Sequence, residues 1–547
     1  MGAGHPSRAS QYGRVPSAAD HLSRDQRRAL GAVYTPAAEA DLACRIALQR
    51  WGGDPASAVV CDPACGTGDF LAALVRVAGR PATLVGVDAD AGALQRVPVP
   101  GVRLHHGDAI VSDPVRFAWG VHAPASYDLV LGNPPYVRHQ SLADPFGHPG
   151  RYADRVAAAV QRIAPDLRLS RRADLAAAFL VLGVSLLREG GVLAFVTTSA
   201  WLDAVYGAPL GRHLLDAGLC ELVERPAERT FAGADVNSLI VVVRRGDDGP
   251  VLLRQIGRPP RPIARAVLRE TPKWGGSLLR APAAASLLSR GVALGSICRV
   301  GSYLITGNDR FFYRTATDGI DPACLRPIVK STRGEHRIAL DGEPSRWLVS
   351  ASDPVLLGAE GVRAVADGLP ELSGVRRRRV WSSVEQEPAP VLCVRTARDR
   401  HLAYLNPQSW ASGELYRLWP PDGVSPAALA AFLSSAVAGL QLEALGRAYG
   451  GGGGPLKVER ADLVQLRLPG LERLRAASSD LERALEPLLR RPIGRVAEER
   501  ARSDRAPLEH RCGSLLDLTQ AETEAVRDAH AAAVAARVGR AARVLGS

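Results

Sequence analysis

"SAVVCDPACGTGDFL", residues 57–71, decides the fold. Ser57 to Asp62 is a short apolar run that reads as a buried strand. Gly66 and Gly68 follow at once and let the backbone bend tightly and come close to a ligand. From Phe70 to Val77 the apolar residues recur at helical spacing. The unit of strand, glycine turn and helix then repeats in outline to about residue 245. "TLVGVDAD" (83–90), "VRLHHGDA" (102–109) and "YDLVLGNPPY" (127–136) read as strands two, three and four. A helix over about 173–188 leads to a fifth strand in "GGVLAFVTTSAWL" (190–202). "CELVERPA" (220–227) and "NSLIVVVRR" (237–245) read as an antiparallel pair closing the region. Such alternation predicts an α/β domain: a mostly parallel, doubly wound sheet with helices on both faces and a terminal antiparallel strand. Ligands of such sheets sit beyond the C-terminal strand ends.

Those strand ends carry chemistry. Asp62 closes the first strand, with Ala64 in the glycine loop behind it. Asp88 closes the second, twenty residues after Gly68, where a carboxylate accepts hydrogen bonds from ribose hydroxyls. Asp88 alone would serve equally as a helix cap, but together with the glycine loop it points to a nucleoside cofactor. Asp108 ends the third strand and could accept from an adenine amine or simply close a turn.

The fourth strand stops in Asn133-Pro134-Pro135-Tyr136. Proline lacks an N–H and fixes φ, so Pro134 and Pro135 end the ladder and stiffen the turn beyond it. An exocyclic aromatic amine is a poor nucleophile, because its lone pair is delocalised into the ring. Two acceptors set on its two N–H bonds favour rehybridisation: the Asn133 side-chain oxygen and the Pro134 carbonyl. Rigid placement of such acceptors is electrostatic preorganisation. Tyr136 offers a face on which a planar substrate can stack. Asn133 to Tyr136 are therefore the candidate catalytic residues, as a clamp for a planar amine or amide.

The rest of the chain sets bounds. Its 547 residues suffice for two or three domains, and 46% hydrophobic with 23% charged residues excludes wholesale disorder. No apolar run has the length of a membrane span, and the first residues lack the apolar core of a signal peptide, so a cytoplasmic protein is expected. Eight scattered cysteines read as reduced thiols, and no residue pattern suggests a metal site. A net charge of +12 and a pI near 9.6 raise the prior for nucleic acid modestly. The cation is nearly always arginine; Lys273, Lys330 and Lys457 are the only lysines. Beyond about residue 250 strands become irregular and proline common, which reads as a separate domain to about 470. From Leu471, Ala, Arg, Glu and Leu at helical spacing predict a helical tail. Arg376–Arg379 is a basic run that fits a phosphate track or a solvated face equally.

"DPACGTGDF", "GVDAD", "GDA" and "NPPY", in this order, resemble the S-adenosylmethionine-dependent amino-methyltransferases. "GAVYTPAAEADLACRIAL" (31–48) resembles the cofactor-carboxylate motif of the gamma-class, TaqI-like DNA adenine-N6 methyltransferases of restriction–modification systems. The resemblance implies a Rossmann-like class I methyltransferase domain and S-adenosyl-L-methionine as cofactor. Thr35 would contact its methionine part, Asp62 its amino end, Asp88 its ribose and Asp108 its adenine, with Ala64, Gly66, Gly68 and Asn133 lining the site. Asn133, Pro134, Pro135 and Tyr136 would hold the adenine of double-stranded DNA. "ERTFAGADVNSLIVVV" (228–243) resembles the stretch bearing a second stacking aromatic, placed at Phe231, as a flipped base requires. "LGSICRVGSYLITGNDRFF" (294–312) and "YGGGGGPLKVERADLVQLRLP" (449–469) resemble the two ends of a TaqI-like target-recognition domain. The implied organisation is an extension over 1–29, a catalytic domain over 30–248, target recognition over 249–470 and a tail over 471–547. The chain departs from the family's Asp-Leu-Tyr at Asp174-Leu175-Ala176 and from its fifth-strand proline at Thr198.

None of the three lysines has an acid two residues before it, as a metal nuclease of the usual type needs, and about 30 residues precede the cofactor motif. Cleavage is therefore expected from a separately encoded restriction endonuclease or defence partner. The alternatives are amino-methylation of RNA, of a protein glutamine or of cytosine N4, and a DNA-binding specificity subunit that needs a partner.

Overall fold

The computed structural model describes residues 35–111, 125–136, 144, 146–147, 151–170, 173–204, 206–224, 238–255, 259–271, 273–306, 309–315, 317, 320, 322–331, 336–350, 387–448 and 454–545. It divides into two compact units between residues 272 and 273.

In the first unit, helix α1 (Ala37–Trp51) ends on Gly52, whose φ of 72° closes the helix in the left-handed region. Then follow β1 (Val59–Asp62), α2 (Asp69–Ala78), β2 (Thr83–Asp88), the short α3 (Ala91–Leu94), β3 (Arg103–His106) and β4 (Tyr127–Gly132). Next come α4 (Tyr152–Ile163), α5 (Leu175–Leu186), β5 (Leu187–Thr198), α6 (Gly207–Ala217), β6 (Leu219–Glu224), β7 (Ser238–Arg244), β8 (Val251–Gln255), β9 (Arg261–Ile263) and α7 (Arg265–Glu270). Asp174 caps α5 by accepting the Ala177 N–H, and apolar residues on every side bury that helix. The sheet runs β3-β2-β1-β4-β5-β7-β6-β8-β9. β3, β2, β1, β4 and β5 are parallel neighbours, and β4 is buried along its whole length, as a strand covered on both faces must be.

β6 and β7 pair in antiparallel register as expected, but β7 lies inside the sheet, between β5 and β6. The sheet also continues past residue 248. β8 pairs in parallel with β6, and β9 folds back on β8. Glu221, fully buried on β6, accepts from Arg50 of α1 at 2.6 Å and from Arg254 of β8 at 2.7 Å. That shared carboxylate holds residues 251–263 in the first unit, so a break at 248/249 would cut the sheet.

In the second unit, Arg299–Gly301, Leu415–Trp419, Val391–Val394 and Ala403–Leu405 form a four-stranded antiparallel sheet. Helices α8 (Pro426–Leu433) and α9 (Ala436–Leu445) are buried on every side. The residues beyond 471 form α10 (Ser478–Leu489), α11 (Ala506–Ser514) and α12 (Gln520–Leu545), among others. Leu481, Leu485, Leu508, Cys512 and Val526 from these helices share one apolar core with Val391, Leu418 and Leu429. The expected tail is thus an integral wall of the unit. Arg537 on α12 and Glu443 on α9 form a fully buried ion pair at 2.6 Å, and His401 lies 3.3 Å from the same carboxylate. Among the described residues no single helix is long and apolar enough to cross a membrane; the bent pair α8–α9 is apolar because it is core.

Candidate active site

The chain leaves β1 outward to β2 and β3, then returns to place β4 on the other side of β1. The direction of winding therefore switches between the C-terminal ends of β1 and β4, where doubly wound sheets open a crevice. Asp62 ends one strand and Gly132 the other. A Cβ on Gly132 would lie 2.7 Å from Asp62 Oδ1, so only glycine lets that carboxylate sit where it does.

The glycine loop wraps around the acids. Gly66 and Gly68 have φ of 52° and 84°, which side-chain-bearing residues rarely adopt. The Gly66 N–H donates to Asp88 Oδ2 at 2.7 Å, and the Asp90 N–H donates to Asp88 Oδ1 at 2.8 Å. Ala64 donates its N–H to Asp62 Oδ1 at 3.1 Å. Asp62 is 1% exposed. Burial pushes its carboxyl well above the usual range, its bond from Ala64 opposes this, and Asp88 and Asp69 nearby push it up again. Asp88 and Asp69 are also raised by burial. A ligand that brings positive charge and hydroxyl donors here restores what these carboxylates lost on leaving water. The ammonium and ribose of S-adenosyl-L-methionine fit that donor set.

Asp108 spends Oδ1 on its own turn, accepting from Ile110 at 2.9 Å and Val111 at 3.0 Å. Its other oxygen is buried, and the Tyr152 hydroxyl lies against the carboxylate; burial and that neighbour push the phenol up.

Past Gly132, Pro134 is buried and Asn133, Pro135 and Tyr136 are partly exposed. Asn133 Nδ2 donates to Thr35 Oγ1 at 2.7 Å. The Tyr136 hydroxyl donates to Asn133 Oδ1 and lies 3.2 Å from the Val196 carbonyl on β5. The structure therefore brings Thr35, Asp62, Ala64, Gly66, Gly68, Asp88 and Asn133 to Tyr136 together along one edge of the first unit's sheet, with Asp108 ending the neighbouring stretch. Phe231 and Arg376–Arg379 lie outside the described residues. Reading the sequence missed Asp69, whose carboxylate lies against the Thr35 backbone, and Glu39, a buried acid bonded to Ser238 at 3.1 Å. The signal for Glu39 was its place on the face of α1 that buries Ala40, Ala43 and Ala47.

A family model described as Eco57I restriction-modification methylase matches residues 105–231, the stretch from the end of β3 through the Asn-Pro-Pro-Tyr turn and beyond β6. The chain is 27% identical over 479 residues to the Type II methyltransferase M.XamI of Xanthomonas campestris pv. amaranthicola, covering 82% of this chain and 86% of that one. The chain is thus similar to methyltransferases of the restriction–modification type. The Type II methyltransferase M.TthHB8I of Thermus thermophilus is 29% identical over 257 residues, 46% of this chain and 54% of that protein. The fold is also that of the Type IIL restriction-modification enzyme MmeI, solved in complex with DNA: TM-score 0.59 at 15% identity, over 96% of this chain and 79% of that one. S-adenosyl-L-methionine is the methyl donor expected from these likenesses.

Proposed function

We propose that this protein methylates the N6 amine of adenine in double-stranded DNA at a specific sequence, as the modification enzyme of a restriction–modification or related defence system in the cytoplasm. A separately encoded restriction endonuclease is its natural counterpart. What carries the reading is the Asn133 amide, fixed beside the end of β4 next to the buried Asp62 that ends β1. The cofactor supplies an electrophilic methyl group. Asp62 would hold its ammonium, Asp88 its ribose hydroxyls and Asp108 its adenine. The Asn133 side-chain oxygen and the Pro134 carbonyl each accept one N–H of the target amine. Its lone pair is thereby released from the ring and directed at the methyl carbon. Tyr136 and Phe231 stack on the extruded base, each contact worth about 1–3 kcal/mol. In this reading the first unit holds the chemistry and the second reads the DNA sequence, with the helices beyond 471 bracing it from within the same core.

Genomic DNA from a methylation-free host expressing the chain, sequenced by a single-molecule method, tests the proposal beside an Asn133→Ala control. A new N6-methyladenine motif, absent from the control, is the expected result. N4-methylcytosine in its place, or no modified base from a folded chain that binds the cofactor, would refute it.

A further inference from the structure

We propose that Thr35 is a positioning residue of the amine clamp: its hydroxyl takes the Asn133 Nδ2–H and so turns the amide oxygen toward the target amine. The inference rests on the clamp reading of Asn133 and goes beyond the cofactor contact that the family resemblance assigns to Thr35. Thr35 and Asn133 are 98 residues apart, yet Nδ2 and Oγ1 lie at 2.7 Å. Thr35 itself is 3% exposed and anchored twice. The Asp69 carboxylate at the start of α2 lies against its backbone, and Pro36 behind it is the N-cap of α1. The hydroxyl therefore stands on a fixed base.

An asparagine needs such a partner. Its terminal torsion is broad and roughly two-fold, so oxygen and nitrogen exchange places at little cost unless hydrogen bonds distinguish them. Exchanged, the amide would aim an N–H at the N–H of the incoming amine, donor against donor. With Nδ2 occupied by Thr35, the oxygen is the end presented to substrate. Before substrate arrives, the Tyr136 O–H holds that oxygen. The Val196 carbonyl, 3.2 Å from the same hydroxyl, can take it over when an amine N–H arrives. Capture of the base then exchanges one donor for another at Oδ1 and leaves no buried polar group unpaired.

Thr35→Val keeps the shape and removes the hydroxyl; Thr35→Ser keeps the hydroxyl. Each is assayed on an unmethylated duplex carrying the target motif, by single-turnover methyl transfer and by calorimetric binding of S-adenosyl-L-methionine, with thermal melts to verify folding. The expected result is a ten- to hundredfold slower transfer for Thr35→Val, about the cost of mispositioning one catalytic contact. Cofactor affinity should fall by much less than the rate, and Thr35→Ser should recover most of the rate. Equal losses of rate and cofactor affinity would overturn the inference, as would a wild-type rate for Thr35→Val or a Thr35→Ser as slow as the valine variant. Asn133→Ala is run alongside. If it transfers methyl groups normally, the clamp reading itself fails; if it is dead while Thr35→Val is normal, only the role of Thr35 fails.

Discussion

Gly132→Ala is the sharpest test of the crevice between β1 and β4. The added Cβ would stand 2.7 Å from Asp62 Oδ1 and 3.3 Å from its Cγ, where ordinary contact begins at 3.4 Å. The carboxylate must withdraw by about 0.7 Å to make room. That movement strains its 3.1 Å bond from the Ala64 N–H, worth about 1 kcal/mol. The backbone at φ 155° adds a conformational cost of order 1–3 kcal/mol. Only the displacement of Asp62 bears on the proposed cofactor contact, and about 1.4 kcal/mol is a factor of ten in affinity. Calorimetry should therefore find S-adenosyl-L-methionine bound about tenfold more weakly, in a protein that still melts cooperatively. Gly190→Ala separates strain from displacement: Gly190 has φ 74° with nothing within 4 Å of its Cβ. It should lose stability and keep the cofactor. If Gly132→Ala binds the cofactor as tightly as the wild type, Asp62 does not hold it.

Two further outcomes follow from buried charge. Asp62, Asp69 and Asp88 are all raised, so folding takes up protons: their contribution is fully present below pH about 4 and is lost as pH rises through their folded values. A cationic ligand reverses that penalty, so cofactor-induced stabilisation should grow with pH and binding should release protons. Calorimetry in buffers of different ionisation enthalpy measures this, and zero release would exclude the acids as the ammonium site. Glu443→Ala leaves the Arg537 guanidinium buried and uncompensated, which should cost about 3–5 kcal/mol in urea unfolding. Cofactor affinity, carried by residues before 137, should hardly move; a stability loss below about 1 kcal/mol would mean the pair is solvated.

The strands and helices around the glycine loop were legible because burial on both faces writes itself as continuous apolar runs, and because glycine and proline punctuate them. The partners of those strands were not. Periodicity marks Ser238–Arg244 as a strand but says nothing of its insertion between β5 and β6, and Val251–Gln255 is too short to announce its place in the sheet. Composition announced the C-terminal helices but not their burial. Their arginines look solvated, yet Arg537 is among the largest fully buried side chains, which only the presence of Glu443 makes tolerable. In the site, the strand-end acids and the Asn-Pro-Pro-Tyr turn could be read one by one. The bond from Asn133 to Thr35 could not, since it joins segments 98 residues apart that only the wound sheet brings together.

The burial of Arg537 has a consequence for synthesis. Its guanidinium also holds the carbonyls of Arg398 and Gly454, so the interior of the second unit waits for a residue made very late. At about 5–20 residues per second, the first unit has tens of seconds in which to fold on the ribosome before α12 emerges. With the donor site built as proposed from residues of the first unit, that site would be complete well before the second half has closed. Ribosome stalling or a premature stop between the two units would then release a chain that carries the site and lacks everything the second unit supplies.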